Sequence, residues 1–350
     1  MITNVETVSA RHSASDRGRT TLRKTLVACG LLLLALFGVI LLASLFGSER
    51  IPVQASICSV LTLGNSSCGL TLDQAAILLE IRLPRILLAA AVGASLAAAG
   101  ASYQALLRNP LAEPYLLGVS NGAAVGTMIA LVFFGAMEWS RPLLAFTGAL
   151  ASTMVVYRLA RGRAGATPER LILAGVIVTT FLSSAIVFVT TLMDATRIRS
   201  FTFWLLGDLS GTSSSLLIFA IVVAAGGALL LTANARSLNL LMLGERDAFD
   251  LGVEVKRVRL IVFSAASLLV GSSVASGGSV GYVGLVVPHL VRLSLGSDNR
   301  ITVPAAALSG ALFVVVADTV ARTIIAPREL PVGAITALIG APLFIYLLKR

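Results

Sequence analysis

The chain has 350 residues, 57% of them hydrophobic and only 13% charged, with a formal net charge of +10. Soluble domains carry about 25% charged residues, and a soluble fold of this size needs a more polar shell, so the composition excludes an ordinary soluble protein. The basic residues sit in short clusters between apolar runs, without a stripe of interleaved aromatics, which argues against a nucleic-acid partner.

Residues 1–25 are polar and basic, with Arg11, Arg17, Arg19, Arg23 and Lys24, and are expected to form a disordered cytoplasmic tail. The apolar run Leu26–Phe46 follows. It matches the roughly 20 residues that cross a bilayer and exceeds a signal-peptide core, so a retained first helix is predicted. Further spans are predicted near 86–107, 115–136, 142–159, 171–192, 216–232, 260–277, 280–295, 303–325 and 331–348. This gives an all-α polytopic membrane protein of about ten transmembrane helices, with 26–350 as a single transmembrane domain. Alternating strands of about ten residues, the mark of a membrane barrel, are absent.

With the N-terminus inside and ten alternating spans, most of the 27 Lys and Arg fall on the inner side. That is the positive-inside bias, and it puts both termini in the cytoplasm. The stretch Ala89–Ser102 is almost entirely Ala, Gly and Ser, which predicts close helix packing. Cys58 and Cys68 share the loop after the first span. If that loop is extracytoplasmic they could pair; two free thiols is the alternative. Cys29, His12 and His289 give no metal-ligand spacing.

Several segments carry more information. Arg82 and Arg85 flank a proline placed to start a helix, on the outer side. Pro110 and Pro114 break the chain between the second and third spans on the inner side. Residues 242–252, in the longest inner loop, read as a short amphipathic helix with Gly252 as its C-terminal cap. Such a helix fits a partner, or simply connects two spans along the membrane. Asp318 and Arg322 stand i,i+4 inside a span and read as an ion pair in preference to a coupling carboxylate. No lysine follows a glycine, so the chain has no Walker A phosphate loop. No serine has a nucleophile-elbow context. Neither ATP hydrolysis nor covalent catalysis is expected, and no cofactor or metal is expected to be bound by this chain.

Arg82–Arg85 (RLPR), residues 108–126 (RNPLAEPYLLGVSNGAAVG), 171–175 (LILAG), 243–253 (LGERDAFDLGV), 283–292 (VGLVVPHLVR), the Asp318–Arg322 pair and ELPVG…GAPLF from Glu329 onward together resemble the FecCD family. These are permeases of bacterial ABC importers for ferric siderophores, haem and vitamin B12. The resemblance spans roughly 75–350 in the family's order. It implies a BtuC-like ABC importer permease fold in the cell (inner or plasma) membrane. It also implies a homodimer, or a pairing with a close permease paralogue, and a pathway between the two copies. Two cytoplasmic ABC ATPase subunits would use the ATP, and an extracytoplasmic substrate-binding protein would dock from outside. On this resemblance Arg82, Arg85 and Arg322 meet the binding protein. The ATPase coupling helix contains Leu243, Gly244, Glu245, Arg246, Ala248, Leu251 and Gly252. Asn109 and Leu111 match positions near the gate, and in a second gate segment, Thr167–Arg170, Pro168 and Glu169 differ from the small hydroxyl residues expected in the vitamin B12 branch. An iron(III)–siderophore complex is the expected cargo.

Overall fold

Helices in a bilayer gain little from hydrophobicity toward one another, so their packing depends on close backbone approach and internal hydrogen bonds. The computed structural model describes residues 3–47, 51–62, 69–134, 137, 139–162 and 165–348, and it is mostly helical. The long helices are α1 (Thr3–Leu45), α4 (Leu83–Leu106), α6 (Ser140–Ala160), α7 (Pro168–Thr190), α9 (Ser214–Ala233), α12 (Val255–Gly277) and α14 (Asn299–Thr323). Shorter ones are α2 (Val53–Leu61), α3 (Leu72–Ala76), α5 (Val119–Phe133), α8 (Ala195–Leu205), α10 (Ala235–Leu243), α11 (Glu245–Asp250), α13 (Val283–Leu295) and α15 (Val332–Leu348). Among the described residues, six helices are long and apolar enough to cross a membrane: Leu22–Leu45 within α1, and α6, α7, α9, α12 and α14. Helices α5, α13 and α15 are apolar but shorter.

Helix α4 is the centre of the bundle and packs most extensively on α14 and α12. Its small-residue stretch is buried, as the composition predicts. A Cβ on Gly93 would stand 2.1 Å from the carbonyl oxygen of Gly310 in α14, and one on Gly100 would stand 2.0 Å from that of Gly284 in α13. These backbones therefore touch only because neither side carries a side chain.

A buried glutamine repairs the break in α13. Pro288 lies inside that helix and has no N–H to give to the carbonyl four residues earlier. That carbonyl is Gly284, and Gln104 Nε2 donates to it at 3.3 Å and to Leu285 O at 3.3 Å. Gln104 Oε1 accepts from Arg292, which also donates to Ala101 O at 3.2 Å. One side chain of α4 thus splints α13 on both sides of its proline.

Three features depart from the sequence reading. Pro84 stands in the first turn of α4, but Arg82–Arg85 is not where the helical run begins. The chain is already helical from Leu72, and Ile77–Arg82 forms a wide π turn in which Leu83 N–H reaches Leu78 O. A widened turn accommodates Pro84, which cannot donate to the preceding turn. The 242–252 segment is two helices rather than one: α10 ends at Leu243, Gly244 takes φ +140°, and α11 follows. A two-residue antiparallel pairing, β1 (Arg161–Gly162) with β2 (Gly165–Ala166), sits between α6 and α7. Cys58 is disulfide-bonded and Cys29 is free; Cys68 lies outside the described residues.

Candidate functional site

Charged side chains gather at the two ends of the bundle. At one end lie Arg82, Arg85 and Arg322, all buried. Arg85 Nε donates to Asp318 Oδ1 at 2.9 Å, and its Nη1 donates to Glu329 Oε2 at 2.6 Å. Arg322 Nε lies 3.4 Å from Asp318 Oδ2, so the i,i+4 pair forms. Asp318 has almost no exposed side-chain surface, whereas Glu329 is about half exposed (49%). Arg82 Nη1 donates to Ser44 O at 2.8 Å, and Arg322 Nη2 donates to Ala43 O at 2.8 Å. Both carbonyls belong to the last turn of α1, which has no basic residue of its own. Arginines there satisfy orphan carbonyls and complement the negative end of the helix dipole.

The three arginines come together from segments more than 200 residues apart, and each guanidinium is engaged within the chain. They neutralise Asp318 and cap α1. Glu329 and the α1 carbonyls were not anticipated as their partners. An intramembrane charge needs a counter-charge, so Arg85 and Asp318 could have been matched from sequence; the carbonyl contacts carry no sequence signal.

The opposite end holds α11. Its first residue, Glu245, forms an ion pair with Arg259 of α12, and Arg108 Nη2 lies 3.8 Å from the same carboxylate oxygen. Arg259 is buried, and its Nη1 donates to Ala166 O of β2 at 2.5 Å. Helix α11 ends in a Schellman motif: Val253 N–H reaches Ala248 O, and Gly252 N–H reaches Phe249 O. Gly252 has φ +84°, so the predicted cap is present. Ala248 is fully buried, while Leu243, Phe249 and Leu251 are 65%, 70% and 61% exposed. Arg246 is exposed as well. Helix α10 is tied to the start of α14 by Asn239, which donates to Asp298 Oδ1 at 2.7 Å and accepts from Asn299. Burial acts to raise the Asp298 carboxyl, but hydrogen bonds from Arg300 and Asn239 outweigh it and hold the group below its usual range.

The loop after α4 reaches this end. Asn109 Oδ1 accepts from Leu111 N–H at 2.9 Å, a local turn that leaves Leu111 48% exposed. The helix terminates on Arg108 at φ +49°, with Asn109 N–H on Gln104 O and Arg108 N–H on Ala105 O. Glycine is the usual occupant of such a left-handed cap. On the second predicted gate segment, Thr167 precedes α7 with Pro168 as its first residue, and Glu169 lies within electrostatic reach of Arg108 and Arg259. The structure therefore brings α11, the loop of Asn109 and Leu111 and the hairpin that leads into Thr167–Arg170 together at the cluster of Glu245, Arg259 and Arg108. Sequence reading missed Arg108 and Arg259 as partners of Glu245, because the loop after α4 and helix α12 that carry them lie far apart in the chain.

Helix α7 carries a third feature. Its exposed face mixes apolar residues with Thr180, Ser183 and Ser184, and Asn121 of α5 donates to Ser183 Oγ at 2.7 Å.

The FecCD transport family profile matches residues 32–350. The chain belongs to the FecCD transport family. It is 41% identical over 281 residues to the hemin transport system permease protein HmuU of Yersinia pestis, covering 78% of this chain and 83% of the relative. It is 44% identical over 269 residues to the cobalamin import system permease protein BtuC of Halobacterium salinarum, covering 77% and 72%. Among solved structures, an inward-facing metal-chelate type ABC transporter superposes with a TM-score of 0.81 at 30% identity, covering 93% of this chain and 99% of that one. This FecCD chain is thus a permease of an ABC importer, a multi-pass protein of the cell membrane. It is not an enzyme, and ATP hydrolysis belongs to a separate subunit.

Proposed function

We propose that this chain is one half of a permease dimer that moves a bulky metal chelate inward, with an iron(III)–siderophore complex as cargo. The observation that carries the reading is the surface of α11. Phe249 on the six-residue helix, with Leu243 before it and Leu251 just after it, stands large, apolar and exposed on a segment that also bears Glu245, Asp247 and Asp250. A segment this short and acidic does not insert into lipid, and exposed apolar groups of this kind mark a partner surface. A cytoplasmic ABC ATPase subunit seats there, one on each copy.

The remaining parts follow from this placement. Ten spans run through the bundle: the six long apolar helices, the three shorter ones and α4. Both termini are then cytoplasmic, and the Arg85 end faces outward. An extracytoplasmic binding protein docks at that outer end, where Arg328 and Glu329 are exposed and Arg82, Arg85 and Arg322 form the base beneath. The polar stripe of α7 lines a pathway between the two copies, because exposed hydroxyls suit water better than lipid. Asn109 and Leu111 close the inner end of that pathway.

Haem or cobalamin is a second reading of the cargo, favoured by the hemin and cobalamin relatives. The test is ATP hydrolysis by the complex reconstituted with its binding protein, offered ferrichrome, hemin and cyanocobalamin in turn. Stimulation by ferrichrome alone supports the siderophore. Stimulation by hemin or cyanocobalamin alone replaces it with that cargo. Uptake without any ATPase subunit would overturn the importer reading altogether.

A further inference from the structure

We propose that the Glu245 carboxylate is the pin that passes motion of α11 to both gate segments of the pathway, with Arg259 and Arg108 as its two arms. The proposal rests on the reading of α11 as the ATPase-contacting helix. Three observations carry it.

The connections are specific. Arg259 grips Glu245 with one nitrogen and the carbonyl of Ala166 with another, so the buried guanidinium bridges α11 to the hairpin that leads into α7. Arg108 reaches the same carboxylate from the loop that carries Asn109 and Leu111. The two gate segments have no other shared partner of this kind among the described ion pairs.

The position of Glu245 is hinged. Gly244 immediately before it has φ +140° and a nearly extended ψ of 156°, a combination open essentially only to glycine. Helix α11 can therefore pivot against α10, which Asn239 holds to α14. The closing Schellman turn at Gly252 keeps α11 a rigid lever.

Arg108 occupies a strained backbone position. A left-handed conformation costs an arginine stability that a glycine would not lose. Retaining arginine there gives up stability and gains only its long cationic side chain, whose partner is Glu245. Strain of this sort is the signature of a functional contact.

Both partners of the Arg108 contact are partly exposed (37% for Glu245 and for Arg108), so that contact is worth little to the folded state. Its value lies in transmission. Glu245 is a positioning residue: it touches no cargo and acts through the two arginines.

The test uses the complex purified through a tag on the permease, with Cys29→Ser and Leu111→Cys introduced and maleimide labelling of position 111 as readout. In that background ATP is expected to change the labelling rate. In Glu245→Gln the nucleotide response, normalised to the ATPase subunit that copurifies, should fall about tenfold, the scale on which coupling residues act. The charge-swapped pair Glu245→Arg with Arg259→Glu should recover part of the response. Arg108→Gly should keep or raise thermal stability yet weaken the response. An undiminished response in Glu245→Gln overturns the pin while leaving the α11 reading intact. Failure of the underlying reading shows differently: Phe249→Asp with Leu251→Asp would still retain the ATPase subunit. A response that is absent even in the Leu111→Cys background overturns both.

Discussion

The two ends of the bundle use the same residue types and differ in solvent. At the Arg85 end, arginine and aspartate are buried, multiply bonded and tied to the carbonyls of α1. At the Glu245 end, the acid is over a third exposed and sits behind a glycine hinge. A buried ion network is costly to break because each partner left behind is an uncompensated charge. A half-exposed one is cheap to rearrange, since water replaces the lost contact. The first end is built to hold, and the second to move.

Removing the central acid should break this contrast most severely. Asp318→Ala leaves Arg85 and Arg322 buried without their shared counter-charge, a loss of about 3–5 kcal/mol. Thermal unfolding of the detergent-solubilised protein should show a large drop in midpoint and a poor yield. If the midpoint barely moves, the Arg85 end is not the anchor.

Gly93→Leu tests whether backbone approach holds α4 to α14. A side chain driven into the Gly310 carbonyl should cost about 1–3 kcal/mol or more, read as a lowered midpoint. Gly30, which has open space around it, should accept alanine without such a loss.

Gln104→Leu should cost about 1–3 kcal/mol, because it strips the buried Gly284 carbonyl of its donor. Hydrogen exchange should rise in α13 and not in α12. Equal exchange in both would mean that Pro288 needs no splint.

These three sites show how much of the molecule was legible in the sequence. Each predicted apolar segment falls on a helix, because apolar length is a property of the chain itself. The ends differ by up to five residues, and among the described residues six of the helices are long and apolar enough to cross a membrane. The Ala, Gly and Ser run correctly announced close packing, but not that Gly93 meets Gly310, which is a matter of partner choice. The proline at 288 was visible, whereas its remedy from Gln104 depends on two helices meeting. The contacts of the three arginines were hidden for a related reason. Resemblance supplied an outer position and a docking role, while burial follows from Asp318 and α1, which only the folded chain brings together. The Glu245 node was half visible: α11 was singled out, and its two arginine partners were not.

Acid should produce the smallest effect. The Asp298 carboxyl is held below its usual range in the folded protein, so its contribution is complete above the unfolded value of about 3.9 and is lost as pH falls through the lower folded value. Proteolysis within α10–α11 should therefore increase only in that acid window, and Asp298→Asn should remove the pH dependence. An increase already present near neutrality would assign the loosening to another group.

The most direct measurement compares the two ends in one experiment: thermal midpoints of Asp318→Ala and Glu245→Gln, each determined in the purified permease alone and in complex with its ATPase subunit. The account predicts that Asp318→Ala is strongly destabilised in both states, while Glu245→Gln stays close to the parent alone. A Glu245→Gln permease that melts as early as Asp318→Ala would contradict it, since the moving end would then be holding the fold.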